Sequence, residues 1–177
     1  MSYGPVTVWL FGKLPAHGDF VSRGLDPVVR DSFDLWMSDE IARARARFGD
    51  EFEARYDTAP AVRFALPTEE GHWDGGSLCA SMDSAGRRFP VLIARSASEP
   101  LEACASARLC EDLIYGAFGE GWNADTVVQN AAKSAIAIDG APAPSAWLIV
   151  TDNDIIPVKA TGHRPVGLME QLLEMVG

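Results

Sequence analysis

A chain of 177 residues, 47% of them hydrophobic, with a mean hydropathy of +0.01, can bury a substantial core, and a single domain is expected. Its net charge of −10 sets the average surface against nucleic-acid phosphates and anionic lipid, and no apolar run approaches the roughly 18 residues a membrane-spanning helix requires. Met1-Ser2-Tyr3-Gly4-Pro5 lacks the basic start and apolar stretch of a signal peptide, so cytoplasmic residence is expected; Cys79, Cys104 and Cys110, odd in number and without a Cys-x-x-Cys pair, read as small buried hydrophobes.

Val6-Thr7-Val8-Trp9-Leu10-Phe11 is β-branched, aromatic and bounded by Pro5 and Gly12, which predicts a mostly buried first strand. From its end leaves Gly12-Lys13-Leu14-Pro15-Ala16-His17-Gly18-Asp19-Phe20-Val21-Ser22-Arg23, a loop that gathers both signs of charge onto a tightly turned backbone. Asp26-Pro27 then supplies an N-cap and a first-turn proline, and Gly49 a C-terminal stop, for a long helix whose apolar face carries Val29, Phe33, Trp36, Met37, Ile41, Ala44 and Phe48. Residues 61–66 predict a strand ending at Pro67, and residues 68–76 an exposed loop.

Residues 77–82 and 88–94 flank Asp83-Ser84-Ala85-Gly86-Arg87 as a hairpin, with Gly86 at the position that needs a positive φ. Ser98 and Pro100 open a second helix with a stripe of Leu101, Ala105, Leu109, Leu113 and Ala117; Asn123 caps a third, broken by the proline-rich run 139–144. A strand at 146–150, a turn at Asp152-Asn153-Asp154, a partner strand at 155–159 and a terminal helix near 166–176 complete the chain. This order predicts an α/β (α+β) fold: a mixed, largely antiparallel sheet of about five to six strands flanked by helices.

The polar residues fit no catalytic template. Gly12-Lys13 lacks both the upstream glycine and the following Ser or Thr of a phosphate loop, and His17, His72 and His163 have no second metal ligand at suitable spacing. No metal and no cofactor are called for. His17 and Asp19 are two apart in a glycine-containing loop; the simpler role for Asp19 is to accept backbone N–H bonds in the turn or to pair with Arg23. Arg63 and Arg87 adjoin apolar runs and are expected to brace loops through carboxylates such as Asp19 or Asp83, the alternative being an anion-recognition or docking patch. Trp9, Trp36 and Trp147 read as core, while Trp73 and Trp122 read as interface candidates in loops.

Three motifs occur in order: residues 11–20 with Arg23, then Ala59-Pro60 with Arg63-Phe64, then Ser81-x-Asp83-x-x-Gly86-Arg87-x-Phe89-Pro90. On these, across roughly residues 6–95, the chain resembles the TagF family of type VI secretion-associated proteins. Val62 stands where that family often carries tryptophan, and Ala80 where proline often precedes the serine.

The resemblance implies a non-enzymatic cytoplasmic accessory that represses type VI secretion after translation by binding a forkhead-associated scaffold protein of the secretion apparatus. It supplies no catalytic residue, and the phosphatase activity of a domain fused to some relatives is not carried over. Lys13, His17, Asp19, Arg23, Arg63, Asp83 and Arg87, all within these motifs, are then braces or docking groups. Arg63 and Asp83 are expected to brace and Lys13 to dock. The rival reading is a small hydrolase or anion-binding enzyme built on Lys13, His17, Asp19 and Arg87, which requires those groups to converge in a pocket.

Overall fold

The computed structural model describes residues 5–139, 146–159 and 162–177, so Met1 to Gly4 and the proline-rich break at 140–144 lie outside the described residues. Along the chain run β1 (Val8–Gly12), β2 (Val21–Arg23), α1 (Pro27–Phe48), α2 (Phe52–Asp57), β3 (Ala61–Pro67), β4 (Trp73–Cys79), β5 (Val91–Ala97), α3 (Pro100–Glu120), α4 (Ala124–Lys133), β6 (Ala146–Val150), β7 (Ile155–Pro157) and α5 (Leu168–Glu174). The strands form one sheet in the order β2-β1-β5-β4-β3-β6-β7, and every neighbouring pair is antiparallel. The α+β expectation holds, with seven strands where five to six were expected.

Both faces of the sheet are covered, and successive strand residues go to opposite layers because the side-chain period is two. Phe11, Leu78 and Leu92 point into the layer that holds Phe33, Trp36 and Met37 of α1 together with Leu172 of α5. Their chain neighbours Leu10, Cys79 and Ile93 point to the other side, onto Leu113 and Ile114 of α3 and Val127 of α4. Two-sided burial is why these strands read as nearly unbroken apolar runs.

Asp26 caps α1 as expected, its carboxylate accepting from the Val28 N–H at 2.8 Å, and Gly49 takes φ 54° just past the last helical turn. Asn123 caps α4 by accepting from the Thr126 N–H at 2.9 Å. The expected loop at 68–76 is shorter, because β4 starts at Trp73 and pairs with both β3 and β5. The hairpin is correspondingly longer: its strands are β4 and β5, while residues 80–90 form a broad connection closed by a single bridge between Met82 and Arg88. Gly86 has φ 79° in that connection, as its turn requires. Two elements were not expected, β2 and the short α2.

Glu40 departs most from the apolar reading of α1, with only 1% of it exposed. Its carboxylate accepts from the N–H groups of Gly167 at 3.0 Å and Met169 at 3.1 Å, with Arg43 at 3.4 Å, and so holds the start of α5 against α1. Glu40→Ala leaves both amides without an acceptor and is expected to cost about 2–4 kcal/mol in chemical denaturation, with Glu40→Gln falling between it and the parent. Amide hydrogen exchange across residues 167–173 checks the cause. Exchange unchanged in Glu40→Ala would reject the capping role.

Candidate functional site

The loop after β1 and the connection between β4 and β5 meet around one buried carboxylate. Asp83 is 2% exposed and receives donors from both segments. The N–H groups of Ala85 and Arg87 each donate to its Oδ1 at 3.0 Å, while Arg87 Nε at 2.8 Å and Lys13 Nζ at 3.0 Å reach Oδ2. Burial on its own raises the Asp83 pKa, but the Arg87 amide, the Lys13 ammonium, the Ala85 amide and the Arg87 guanidinium outweigh it and hold the carboxyl well below the ordinary carboxylate range.

Further bonds fix the surrounding backbone. Ser81 Oγ donates to the Lys13 carbonyl at 2.7 Å, Ser84 N–H donates to the His17 carbonyl at 2.8 Å, and Arg87 Nη2 donates to the Gly18 carbonyl at 2.6 Å. Beneath them the Tyr56 hydroxyl donates to the Ser81 carbonyl at 2.9 Å and accepts from the Ser81 N–H at 3.0 Å; burial pushes its phenol above the ordinary range. Gly12 opens the loop at φ 129°, where an added Cβ would lie 2.0 Å from the Pro90 carbonyl oxygen, so no other residue fits this close approach.

Lys13, expected to dock, is instead 6% exposed, salt-bridged to Asp83 and seated 4.8 Å from the centre of the Phe20 ring. His17 Nε2 accepts from the Ala124 N–H at 3.0 Å, which ties the loop to the first turn of α4. Asp19 is exposed, and its carboxylate accepts from the adjacent Phe20 N–H at 2.8 Å; it braces none of the arginines.

Arg23 pairs with Asp125 of α4 at 2.6 Å, not with Asp19, and that partner's carboxyl is lowered by the guanidinium. Arg63 pairs with Glu111 of α3, a partner the sequence reading did not name. Arg87 has an exposed side chain although two of its nitrogens are held. The structure thus brings Lys13, Asp83 and Arg87 together, places His17 and Arg23 along the seam with α4, and leaves Arg63 and Asp19 apart.

Trp73 lies within β4 and not in a loop, and the Trp122 ring packs where a Cβ on Gly116 would be, 2.7 Å away, so both tryptophans pack against the fold. Cys79 and Cys110 are buried thiols whose pKa values burial pushes up to about 12. No group of His, Cys, Asp and Glu suited to a metal occurs among the described residues. Likewise no helix among them is long and apolar enough to cross a membrane.

The model of the TagF N-terminal domain, type VI secretion system-associated, matches residues 10–133. The chain belongs to the TagF family. The match runs from β1 to the end of α4, so in this TagF domain the whole Asp83 knot falls inside it, while β6, β7 and α5 extend the same sheet and helical layer beyond it. The crystal structure of PA0076 from Pseudomonas aeruginosa PAO1 is similar to the TagF chain over 95% of this chain and 77% of that one, with a TM-score of 0.60 at 22% identity. That likeness is one of fold. No curated protein matches the chain.

Proposed function

We propose that this TagF protein is a non-enzymatic regulator that represses type VI secretion after translation by binding a forkhead-associated scaffold protein of the secretion apparatus in the cytoplasm. The observation that carries the reading is the family match over residues 10–133. The geometry suits a contact surface better than a reaction centre. In the hydrolase reading Lys13, His17, Asp19 and Arg87 have to converge on a substrate. Here Lys13 and Arg87 converge on Asp83, His17 is tied to α4 and Asp19 faces solvent.

With Lys13 behind the surface, the groups the signature loop presents outward are Asp19, the 46%-exposed ring of Phe20 and the exposed flank of Arg87. An exposed aromatic ring and an arginine are residue types enriched at protein contacts, and the charge of Asp19 would add to the specificity of such a contact. The test is capture of the purified forkhead-associated scaffold by this protein, alongside a secretion assay in cells that overproduce it. Capture of the scaffold and reduced secretion are expected. Asp19→Lys, at an exposed position outside the knot, is expected to weaken capture roughly tenfold without changing the fold. Failure of the unaltered protein to capture the scaffold rejects the partner, and undiminished capture by Asp19→Lys rejects this surface.

A further inference from the structure

On the α1 side of the sheet, away from the Asp83 knot, a cavity of about 220 Å3 lies between the strands, α1 and the segment 162–165. Its walls are aromatic: the Trp9 ring stacks 5.0 Å from Phe33 and 6.0 Å from Phe64, which in turn lies 4.6 Å from Trp147. Room for these rings exists because Gly76 lies beneath Phe64, whose tip would be 2.4 Å from any Cβ there. At the rim His163 and Val29 are exposed.

Two opposite charges line this cavity and neither has an ion-pair partner among the described residues. Asp74, on β4, holds one long hydrogen bond, from Trp9 Nε1 at 3.4 Å. Burial raises its pKa, offset in part by the Trp9 N–H and by the His72 and His163 imidazoles. Arg164 lies with its guanidinium 4.6 Å from the Phe33 ring centre, and its Nε is buried without a hydrogen-bond partner.

Its backbone position is fixed on both sides. Trp147 Nε1 donates to the Gly162 carbonyl at 2.8 Å, and Trp36 Nε1 donates to the Pro165 carbonyl at 3.0 Å. Desolvated groups of this kind are costly unless a partner completes their bonding. A carboxylate asks for a cationic donor and an arginine Nε asks for an acceptor, while the faces of the intervening rings favour both apolar and cationic groups.

Size narrows the class of occupant. A cavity of about 150 Å3 lined by apolar side chains accommodates benzene, and pockets for drug-sized molecules begin near 300 Å3. A volume of about 220 Å3 therefore suits one ring, or an aliphatic group of similar bulk, with short polar ends. We propose that this cavity binds a small zwitterion with an apolar body of about one ring, its ammonium group on Asp74 and its acid group on Arg164. The proposal is independent of the regulatory reading.

The probes are L-phenylalanine, phenethylamine, 3-phenylpropionate and toluene, which present both ends, the amine alone, the acid alone and neither. Each is titrated against the full chain, following tryptophan fluorescence, since Trp9 and Trp147 line the site, and ligand-observed magnetic resonance. L-phenylalanine is expected to bind saturably and at least about tenfold tighter than either half-molecule, the gain of one charged hydrogen bond. Asp74→Asn is expected to abolish its advantage over 3-phenylpropionate, and Arg164→Met its advantage over phenethylamine. No saturable binding of L-phenylalanine up to about 10 mM, or toluene binding as tightly as L-phenylalanine, overturns the proposal. The four-probe series on the unaltered chain decides the matter should either variant fail to fold.

Discussion

Asp83→Ala is expected to lower the thermal midpoint by roughly 10 °C, because it leaves the buried Lys13 ammonium and the amides of Ala85 and Arg87 without their acceptor. Removing one member of a buried charged set is far worse than removing the set. Lys13→Met combined with Asp83→Asn is accordingly expected to lose less than the sum of the two single variants, a non-additivity that thermal melts of the four proteins measure. Strict additivity would mean that Lys13 and Asp83 act independently, against the geometry described.

The pH dependence has a definite sign. The folded Asp83 carboxyl is held below its unfolded value, so its contribution to stability is complete above the unfolded pKa and is lost as the pH falls through about 4 toward the folded value. Melts taken from about pH 6 downward are expected to show the parent losing stability over that window and Asp83→Asn losing less. Parallel acid profiles for the two would reject the assignment.

Gly75→Ala carries the second large effect. A Cβ at this position would lie 1.9 Å from the carbonyl oxygen of Ala103 and 2.6 Å from its carbon, both backbone atoms of α3 that cannot rotate away. Helix and sheet must separate to admit one methyl group. The expected cost is about 3 kcal/mol or more, at the upper end of what overpacking produces. Gly119→Ala is the control on the same helix, with nothing within 4 Å of the added atom, and is expected to be neutral or to stabilise by about 0.5–1 kcal/mol. Urea denaturation of the two variants separates steric clash from a general intolerance of change.

Gly75 also explains where the sequence misleads. Gly-Gly beside Trp73 and His72 has the composition of a loop, yet the pair lies inside β4, since its lack of side chains is what lets α3 and Phe64 come close. Composition cannot distinguish a glycine that turns the chain from one that makes room. The caps of α1 and α4 were legible because the signal and its consequence lie within three residues of each other, in Asp26 with Val28 and Asn123 with Thr126. β2 was not, for three residues hold no measurable period, and α2 begins without a side-chain cap to announce it.

The candidate site divides in the same way. The Asp83–Arg87 pair is local and legible in the sequence, whereas the partner that draws Lys13 inward stands 70 positions away, beyond the reach of any local signal. Glu111 for Arg63 and Asp125 for Arg23 lie 48 and 102 positions away along the chain, and only the folded layers bring them near. Glu40 was hidden for another reason: a charged residue amid an apolar helical face gives no sign of the two amides it will meet.

The sheet ends at each margin in a strand of three residues, β2 on one side and β7 on the other, and β7 finishes in a proline that has no N–H to give. An incoming extended peptide would find too few free backbone groups on either border to build a ladder. Self-templated growth into filaments is discouraged for the same reason. Among the described residues, the borders of this sheet therefore favour recognition through side chains, by shape and charge, over the addition of one more strand.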